Sequence, residues 1–391
     1  MESSGVTLLA TPRVRVRPAF PGAERIHRAA RDTARFVAFT TDPTRSDRLW
    51  PSDPQLYLTN PLGLAYGACG NALFLKDVLG SLPDGAEEWM LARPVDRGEY
   101  PPGLWVGAAG IAYAFAELGH PDRAAEWMEL VRHSELSHGD PSVYQGAAGW
   151  GLGALAIHRR TGDPRYLDTA ILAGRHLART AERSDAGVFW KDGQDRIRLG
   201  FAYGASGVAL FLLYLFRETG DEEYLELARG GVDFDVSHGR RRGGELRWGS
   251  TPDDVGTAPY WMEGTSGVGT TLIRFYRELR EERYLDLARE AERGTETFLS
   301  ASPHSFRGMT SIGEFVLDMF LCTGEAKYLE RAKQCAERTL LYRVEMPQGL
   351  AFPGRYLVRF STDFAYGSSG IGAFLHRLSV LGPRRLHDLG V

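Results

Sequence analysis

Seven copies of one glycine-spaced signal constrain this chain more than anything else in it. The stretches are LAYGACGNALFL (64–75), LWVGAAGIAYAF (104–115), VYQGAAGWGLGA (143–154), FAYGASGVALFL (201–212), WMEGTSGVGTTL (261–272), FRGMTSIGEFVL (306–317) and FAYGSSGIGAFL (364–375). Each carries Gly-x-x-Gly, except that the sixth is shifted and has Ser311 where the second glycine would fall. The first glycines, Gly67, Gly107, Gly146, Gly204, Gly264, Gly308 and Gly367, are separated by 40, 39, 58, 60, 44 and 59 residues. One such step would mean nothing. Seven at this spacing define a repeat architecture.

A second repeat interleaves with the first: TGDPRYLDTA (161–170), TGDEEYLELA (219–228), REERYLDLA (280–288) and TGEAKYLERA (323–332). Gly162, Gly220 and Gly324 fit the left-handed cap that closes a helix. The acidic residues after them suit the first turn of the next helix. The helix after Gly-x-x-Gly is apolar nearly all round, as in VALFLLYLF (208–216), so it is buried on most sides. The helix after TGD is amphipathic and faces water. Buried inner and amphipathic outer helices, repeated seven times, predict an all-α fold: a closed α/α toroid. An open solenoid needs polar capping repeats at its ends, whereas the first and last repeats here keep the apolar inner pattern. The chain reads as one domain over 1–391, with an N-terminal extension (1–20), a lead-in outer helix and loop (21–60) and seven repeats (61–382).

Two roles are open to the glycines. They let backbones approach closely. If the inner helices begin at one end, they also leave N–H groups and positive dipole ends around one mouth of a cavity, a site for an anion or a thiolate. Packing is the main role and the dipole ring a by-product. Composition excludes other classes. The formal charge of −4 gives no basic footprint for nucleic acid. No apolar run reaches the roughly 18 residues that a membrane span needs, and the N-terminus lacks the basic-then-apolar order of a secretory signal. Three scattered cysteines, Cys69, Cys322 and Cys335, form no CxxC pair and suit a reducing cytoplasm. Cys69 reads as a small buried residue or a reactive thiol, and Cys322 and Cys335 fall on outer-helix patterns. His158, His176 and His376 lie in helical patterns and read as packing.

Over roughly residues 20–380 the pattern resembles the lanthionine-synthetase cyclases, the LanC-like family. The resemblance implies an α/α toroid that adds a precursor-peptide cysteine thiol to dehydroalanine or dehydrobutyrine to form a thioether ring. Zinc-dependent members hold the metal with Trp-Cys-x-Gly in the fifth repeat and Cys-His-Gly in the sixth. Here Trp261-Met262-Glu263-Gly264 has Met262 for the cysteine, and Phe306-Arg307-Gly308 has Phe306 for Cys and Arg307 for His. The tail Gly313-Glu314-Phe315 still fits the residues after Cys-His-Gly in the family. The family's His before the fourth Gly-x-x-Gly is Tyr203, and its Asp in the third repeat is Ser142. Such a donor set is not a zinc site, so no metal and no other cofactor is expected. The zinc-free pattern is similar to the C-terminal cyclase domain of class III lanthipeptide synthetases, the kinase–cyclase fusions. The sequence has no HRD, DFG or nucleotide-binding glycine loop. A kinase and a lyase are thus expected as separate partners or as a missing N-terminal part, and Met1 mildly favours a stand-alone chain.

The residue before each first glycine should face the mouth: Tyr66, Val106, Gln145, Tyr203, Glu263, Arg307 and Tyr366. A metal-free thiol addition needs help in forming thiolate, because the free thiol has a pKa near 8.5. Glu263 could take the proton, Arg307 could hold the thiolate or enolate, and a tyrosine, best Tyr203 but with Tyr66 and Tyr366 also candidates, could protonate carbon. His304, three residues before Arg307, is a further candidate. The bland alternative is that the tyrosines pack and Glu263 pairs with Arg307 as a structural bridge. Gln145, Trp261 and Asp363 are candidate substrate contacts. Arg240, Arg241 and Arg242, in the basic segment HGRRRGGELRW (238–248), are either solvated or a dock for an acidic leader peptide or phosphoserine. Two other functions compete: a non-catalytic module that binds the precursor and organises partner enzymes, and a toroidal carbohydrate enzyme with paired carboxylates, for which only Glu263 and Asp363 are on offer.

Overall fold

The computed structural model describes residues 20–95, 101–133, 139–297 and 300–389; the extension expected over 1–20 lies outside them except for Phe20. Seven inner helices alternate with outer ones. The first outer helix, α1 (Ala23–Phe39), leads into inner α2 (Ala68–Leu79) and a short outer α3 (Ala86–Leu91). The hairpins α4 (Ala108–Leu118)/α5 (Pro121–His133), α6 (Ala147–Thr161)/α7 (Pro164–Thr180), α8 (Ala205–Thr219)/α9 (Glu222–Ser237), α10 (Thr265–Leu279)/α11 (Glu282–Gly294) and α12 (Met309–Thr323)/α13 (Ala326–Leu340) come next. Inner α14 (Ser368–Val380) packs on α1 and returns to α2, closing the toroid.

The ring is closed by backbone as well as by packing. The residue two before each first glycine donates its N–H to the equivalent carbonyl of the next repeat: Ala65 to Trp105 (2.8 Å), Trp105 to Tyr144 (3.0 Å), Tyr144 to Ala202 (2.9 Å), Ala202 to Met262 (3.2 Å), Met262 to Phe306 (3.1 Å), Phe306 to Ala365 (3.3 Å) and Ala365 to Ala65 (2.9 Å). Seven hydrogen bonds thus run head to tail around the mouth. They fix the direction in which the following residue, the one just before each glycine, can point.

Each first glycine is the N-cap of its inner helix. Only Gly264, at φ 109°, needs glycine for its backbone angle. Elsewhere the need is close approach: a Cβ on Gly110 would lie 1.7 Å from the Leu104 carbonyl oxygen. In the sixth repeat Ser311 fits because its hydroxyl donates to the Gly308 carbonyl at 2.8 Å. The inner helices also mesh through glycine and phenylalanine. Gly151, Gly269, Gly313 and Gly372 each face the ring of Phe211, Phe315, Phe374 and Phe74 on the next inner helix. The last of these pairs spans α14 and α2. Burying such a side chain contributes roughly 1.5–3 kcal/mol.

The helix starts correct one expectation. In six of the seven repeats the first helical N–H is already used: Ala68, Ala108, Ala147, Thr265, Met309 and Ser368 each donate to a carbonyl seven residues earlier, at 2.8–3.1 Å. In α8 the buried Asp235 carboxylate takes the Ser206 N–H at 3.0 Å. The chain entering each helix doubles back and caps it, so these N–H groups are not presented to the cavity. The caps at the other ends are as the sequence predicts, with Gly162, Gly220 and Gly324 left-handed at φ 72°. Asp163 and Asp221 accept from the N–H two residues on, at 2.9 and 3.1 Å.

Among the described residues three two-stranded antiparallel hairpins interrupt the helical pattern: β1 (Glu182–Ser184)/β2 (Gly187–Phe189), β3 (Arg240–Arg242)/β4 (Glu245–Arg247) and β5 (Val344–Met346)/β6 (Gly349–Ala351). They fall in the three repeats with the longest glycine-to-glycine steps. Cys322 lies on inner helix α12, not on an outer helix, while Cys335 is on outer α13. Among the described residues no helix is long and apolar enough to cross a membrane.

Candidate functional site

At the end where the inner helices begin lies a cavity of about 1090 Å³. Tyr66, Val106, Gln145, Tyr203, Arg307 and Tyr366, each the residue before a first glycine, line it together with Met262, His304 and Tyr144. Glu263 completes the set from behind Arg307, which donates to it at 2.5 Å. The guanidinium is about half exposed (46%) and the carboxylate 15%, so Arg307 is the face that a ligand meets.

The phenols form a connected cluster. Tyr144 donates to the Tyr66 oxygen at 2.9 Å, Tyr66 stacks near Tyr366 with ring centres 6.2 Å apart, and Tyr144 lies 4.9 Å from Tyr203. Burial, with the Glu263 charge behind it, pushes the Tyr203 hydroxyl well above its ordinary range. Burial likewise raises Tyr66 and Tyr366. All three are neutral O–H donors at physiological pH. His304 is buried against Tyr366, and burial pulls its pKa down to about 4. The ring is therefore neutral. Its Nε2 lies 3.0 Å from the Pro353 carbonyl, which assigns the proton to that nitrogen and leaves Nδ1 as the acceptor.

Five candidate contacts lie elsewhere. Trp261 is 1% exposed and belongs to a layer of rings with Trp105, Phe306 and Phe201 beneath the cavity. Asp363 is fully buried, where it accepts from the N–H groups of Asp53 (3.0 Å) and Tyr366 (2.8 Å) and from the Ser361 hydroxyl. Its role is to brace the rim. Arg240, Arg241 and Arg242 form strand β3 on the outer wall, where Arg241 pairs with Glu290 of α11 at 2.7 Å. None of these lines the mouth. Cys69 is fully buried and its thiol is pushed far up by burial, the state of a packing residue.

The structure adds residues that the sequence does not single out. Arg355 reaches the mouth from an irregular segment, 4.3 Å over the Tyr366 ring and 3.2 Å from the Asp53 carboxylate. Arg196 does so beside Asp192 at 2.8 Å, and Asp140 holds Gln145 at 2.8 Å. One lip is apolar: Leu58, Tyr356 and Leu357 are exposed and line the opening. Tyr356 and Leu357 both sit at positive φ, 60° and 59°. Neither Arg355 nor Asp53 has a counterpart in the repeats, so periodicity carries no signal for them.

The positions of a metal-binding member are filled by a thioether, a phenyl ring and a guanidinium. Met262 accepts a contact from the Tyr366 hydroxyl at 3.7 Å, and Phe306 lies edge-on to Trp105. These groups do not fit zinc. Among the described residues no three His, Cys, Asp or Glu side chains converge on one point.

A toroid of seven inner and seven outer helices with its site at the helix starts defines a class of α/α-barrel proteins. The family model described as lanthionine synthetase C-like protein matches residues 123–381, and the chain belongs to that family. It is 29% identical over 356 residues to the probable SapB synthase of Streptomyces coelicolor; the match covers 89% of this chain and 37% of that protein. The chain thus spans well under half the length of that relative. Among solved structures, nisin cyclase superposes with a TM-score of 0.63 at 16% identity, over 82% of this chain and 89% of its own. The Lin0763 protein from Listeria innocua gives 0.53 at 12% identity, over 91% and 97%. An α-1,6-mannanase of Salegentibacter sp. gives 0.52 at 16% identity, over 91% and 99%. At these identities the likeness is one of fold.

Proposed function

We propose that this chain is a peptide thioether cyclase that works without zinc. Its substrate is a dehydrated precursor peptide, and its product a lanthionine, methyllanthionine or carbon-bridged labionin-type ring. The observation that carries this reading is the Glu263–Arg307 pair: Arg307 stands at the rim place where metal-binding family members carry a histidine ligand, Glu263 follows Met262 at the cysteine place, and neutral phenols flank them. We assign dehydration of the precursor to a kinase and a lyase, on the same or on separate polypeptides, and place the reaction in the cytoplasm.

The pair allows a charge-conserving step. The cysteine S–H proton passes to the Glu263 carboxylate, and the thiolate replaces that carboxylate as the counterion of Arg307. Sulfur then bonds to the β-carbon of the dehydro residue. The π electrons move onto the adjoining carbonyl oxygen, and Tyr203 delivers a proton to the α-carbon. Glu263 returns its proton to Tyr203, so acid and base are restored. Each such contribution is worth roughly 10²–10³ in rate, and confinement of the peptide in the mouth selects the ring geometry.

The test is mass spectrometry of a dehydrated precursor with and without the protein, with alkylation to count free thiols, and elemental analysis of the active preparation. Loss of alkylatable cysteine in a zinc-free sample supports the proposal. About one zinc per chain, with loss of activity on chelation, contradicts it. A second reading is favoured by how closely Arg307 and Glu263 satisfy each other: a non-catalytic module that binds the precursor and organises partner enzymes. It predicts binding of the peptide with no change in free thiols.

A further inference from the structure

Residues 382–389 come after α14 and turn back into the bore of the barrel from the end opposite the mouth. Arg385 pairs with Asp77 on α2 and with Glu117 on α4, the latter at 2.6 Å. The His387 carbonyl accepts from Tyr214 of α8 at 2.5 Å and from Arg274 of α10 at 2.8 Å. Asp388 meets Arg274 and Arg277 at 2.9 and 3.0 Å. Arg384 lies 3.3 Å from Asp318 of α12. One short segment thereby ties together five inner helices beyond the one it leaves. Connecting chain ordinarily runs over the surface because its polar groups are hard to satisfy inside. Arg385 keeps its pairs at the exposed rim of that end, whereas Arg274, Arg384, Asp318 and Asp388 are nearly buried; these inner charges are tolerated because each finds a partner, and removal of one partner would strand the other.

The tip of the segment touches the underside of the site. The His387 ring is 3% exposed and stacks on Phe201 at 4.9 Å, with 26° between the planes. Its Nε2 accepts the indole N–H of Trp261 at 3.1 Å. Trp261 precedes Met262, whose side chain lines the mouth and whose N–H belongs to the closed backbone ring. Beside this contact the layer of rings is only partly backed: Trp105 stacks on Phe364, and a second cavity of about 410 Å³ is lined by Trp105, Trp261 and Phe306. His387 is therefore a strut under a floor that is hollow alongside it.

We propose that residues 383–389 form an internal plug and that His387 is a positioning residue, holding Trp261 and through it the Met262 floor of the mouth. The plug stands on the geometry alone; the positioning role rests on the cyclase reading above. The test uses the full chain. Trypsin should cut the exposed Arg240–Arg242 hairpin at least tenfold faster than the bonds after Arg384 and Arg385. Asp388→Ala should unlatch the segment and speed cleavage there at least tenfold. His387→Leu removes the acceptor; it should displace the Trp261 indole N–H resonance, assigned by its loss in Trp261→Phe. The same variant should lower kcat for ring formation at least tenfold with KM within twofold. His387→Gln, whose amide oxygen can accept the same proton, should restore both. If His387→Leu does not fold, His387→Phe carries this arm. Equal cleavage at the two sites in the wild type overturns the plug. An unmoved resonance with wild-type kcat overturns the strut. A wild type that forms no rings overturns the cyclase reading instead, and the resonance and protease arms then decide.

Discussion

Arg307 and Glu263 hold each other at the mouth, yet a half-exposed ion pair contributes only about 0–1 kcal/mol to stability. Folding alone is thus a weak reason for placing them there. Glu263→Gln and Arg307→Met should each slow ring formation about a hundred- to a thousandfold with little change in Tm. In Glu263→Gln the rate should also climb more steeply with pH, because hydroxide must then supply the thiolate. Unchanged rates in both folded variants would leave the scaffold reading standing. His304 makes a different prediction, about pH. Its folded pKa of about 4 lies below the ordinary 6.5, so the neutral ring is the form that the fold favours. Stability from this residue is present above pH 6.5 and is lost as pH falls through 4, an effect of about 3 kcal/mol. His304→Gln keeps a donor for the Pro353 carbonyl but does not titrate. Denaturant unfolding at pH 6.5 and 4.5 should show a smaller difference for the variant than for the wild type; equal differences would remove His304 from the account.

Inner helices touch through single glycines, and the α14–α2 contact shows what that demands. A Cβ on Gly372 would lie 2.2 Å from the tip of the Phe74 ring. Gly372→Ala should therefore cost about 1–3 kcal/mol through overpacking. Phe74→Leu in the same chain should recover part of it, a non-additivity that a double-mutant cycle measures. The helices themselves were legible, because Gly-x-x-Gly and TGD mark their starts and stops and the apolar period separates inner from outer. The hairpins were less so. RRRGGELR carries a Gly243–Gly244 pair, both at positive φ, which is a two-residue hairpin turn; its run of arginines masks that signal. Rim positions were legible wherever the repeat sets them, as for Tyr203 and Arg307. Trp261 and Asp363 were misplaced because the chain turns sharply as it enters each inner helix: Trp261, next to Met262, goes into the packed layer, and Asp363, three residues before Tyr366, folds back to accept the Tyr366 N–H. Arg355, Asp53 and the His387 strut come from segments outside any repeat, so only the tertiary fold brings them to the site.

At the scale of the whole molecule the closed backbone ring has a consequence that packing alone would not require. In an open repeat array each unit contacts only its neighbours, and end units fray with lower local stability. Here Ala365 bonds to Ala65, Phe374 and Phe74 each pack against a glycine of the preceding inner helix on either side of the seam, and α1 covers α14 from the far end of the sequence. The first and last repeats therefore have as many partners as the middle ones. Residues 383–389 add ties across the bore. Native-state hydrogen exchange should then show amides of α2 and α14 opening with the same free energy as those of α8, and all three should match the global unfolding free energy. Thermal unfolding should be one transition, with calorimetric and van't Hoff enthalpies in agreement. Earlier exchange in α2 and α14, or two resolved transitions, would mean that the seam is weaker than the rest of the ring and that the barrel behaves as a bent solenoid. Asp388→Ala sharpens the test. Losing its ties to α10 should lower the stability of every inner helix together rather than that of α14 alone, because in a closed ring a loosened tie is felt all the way round.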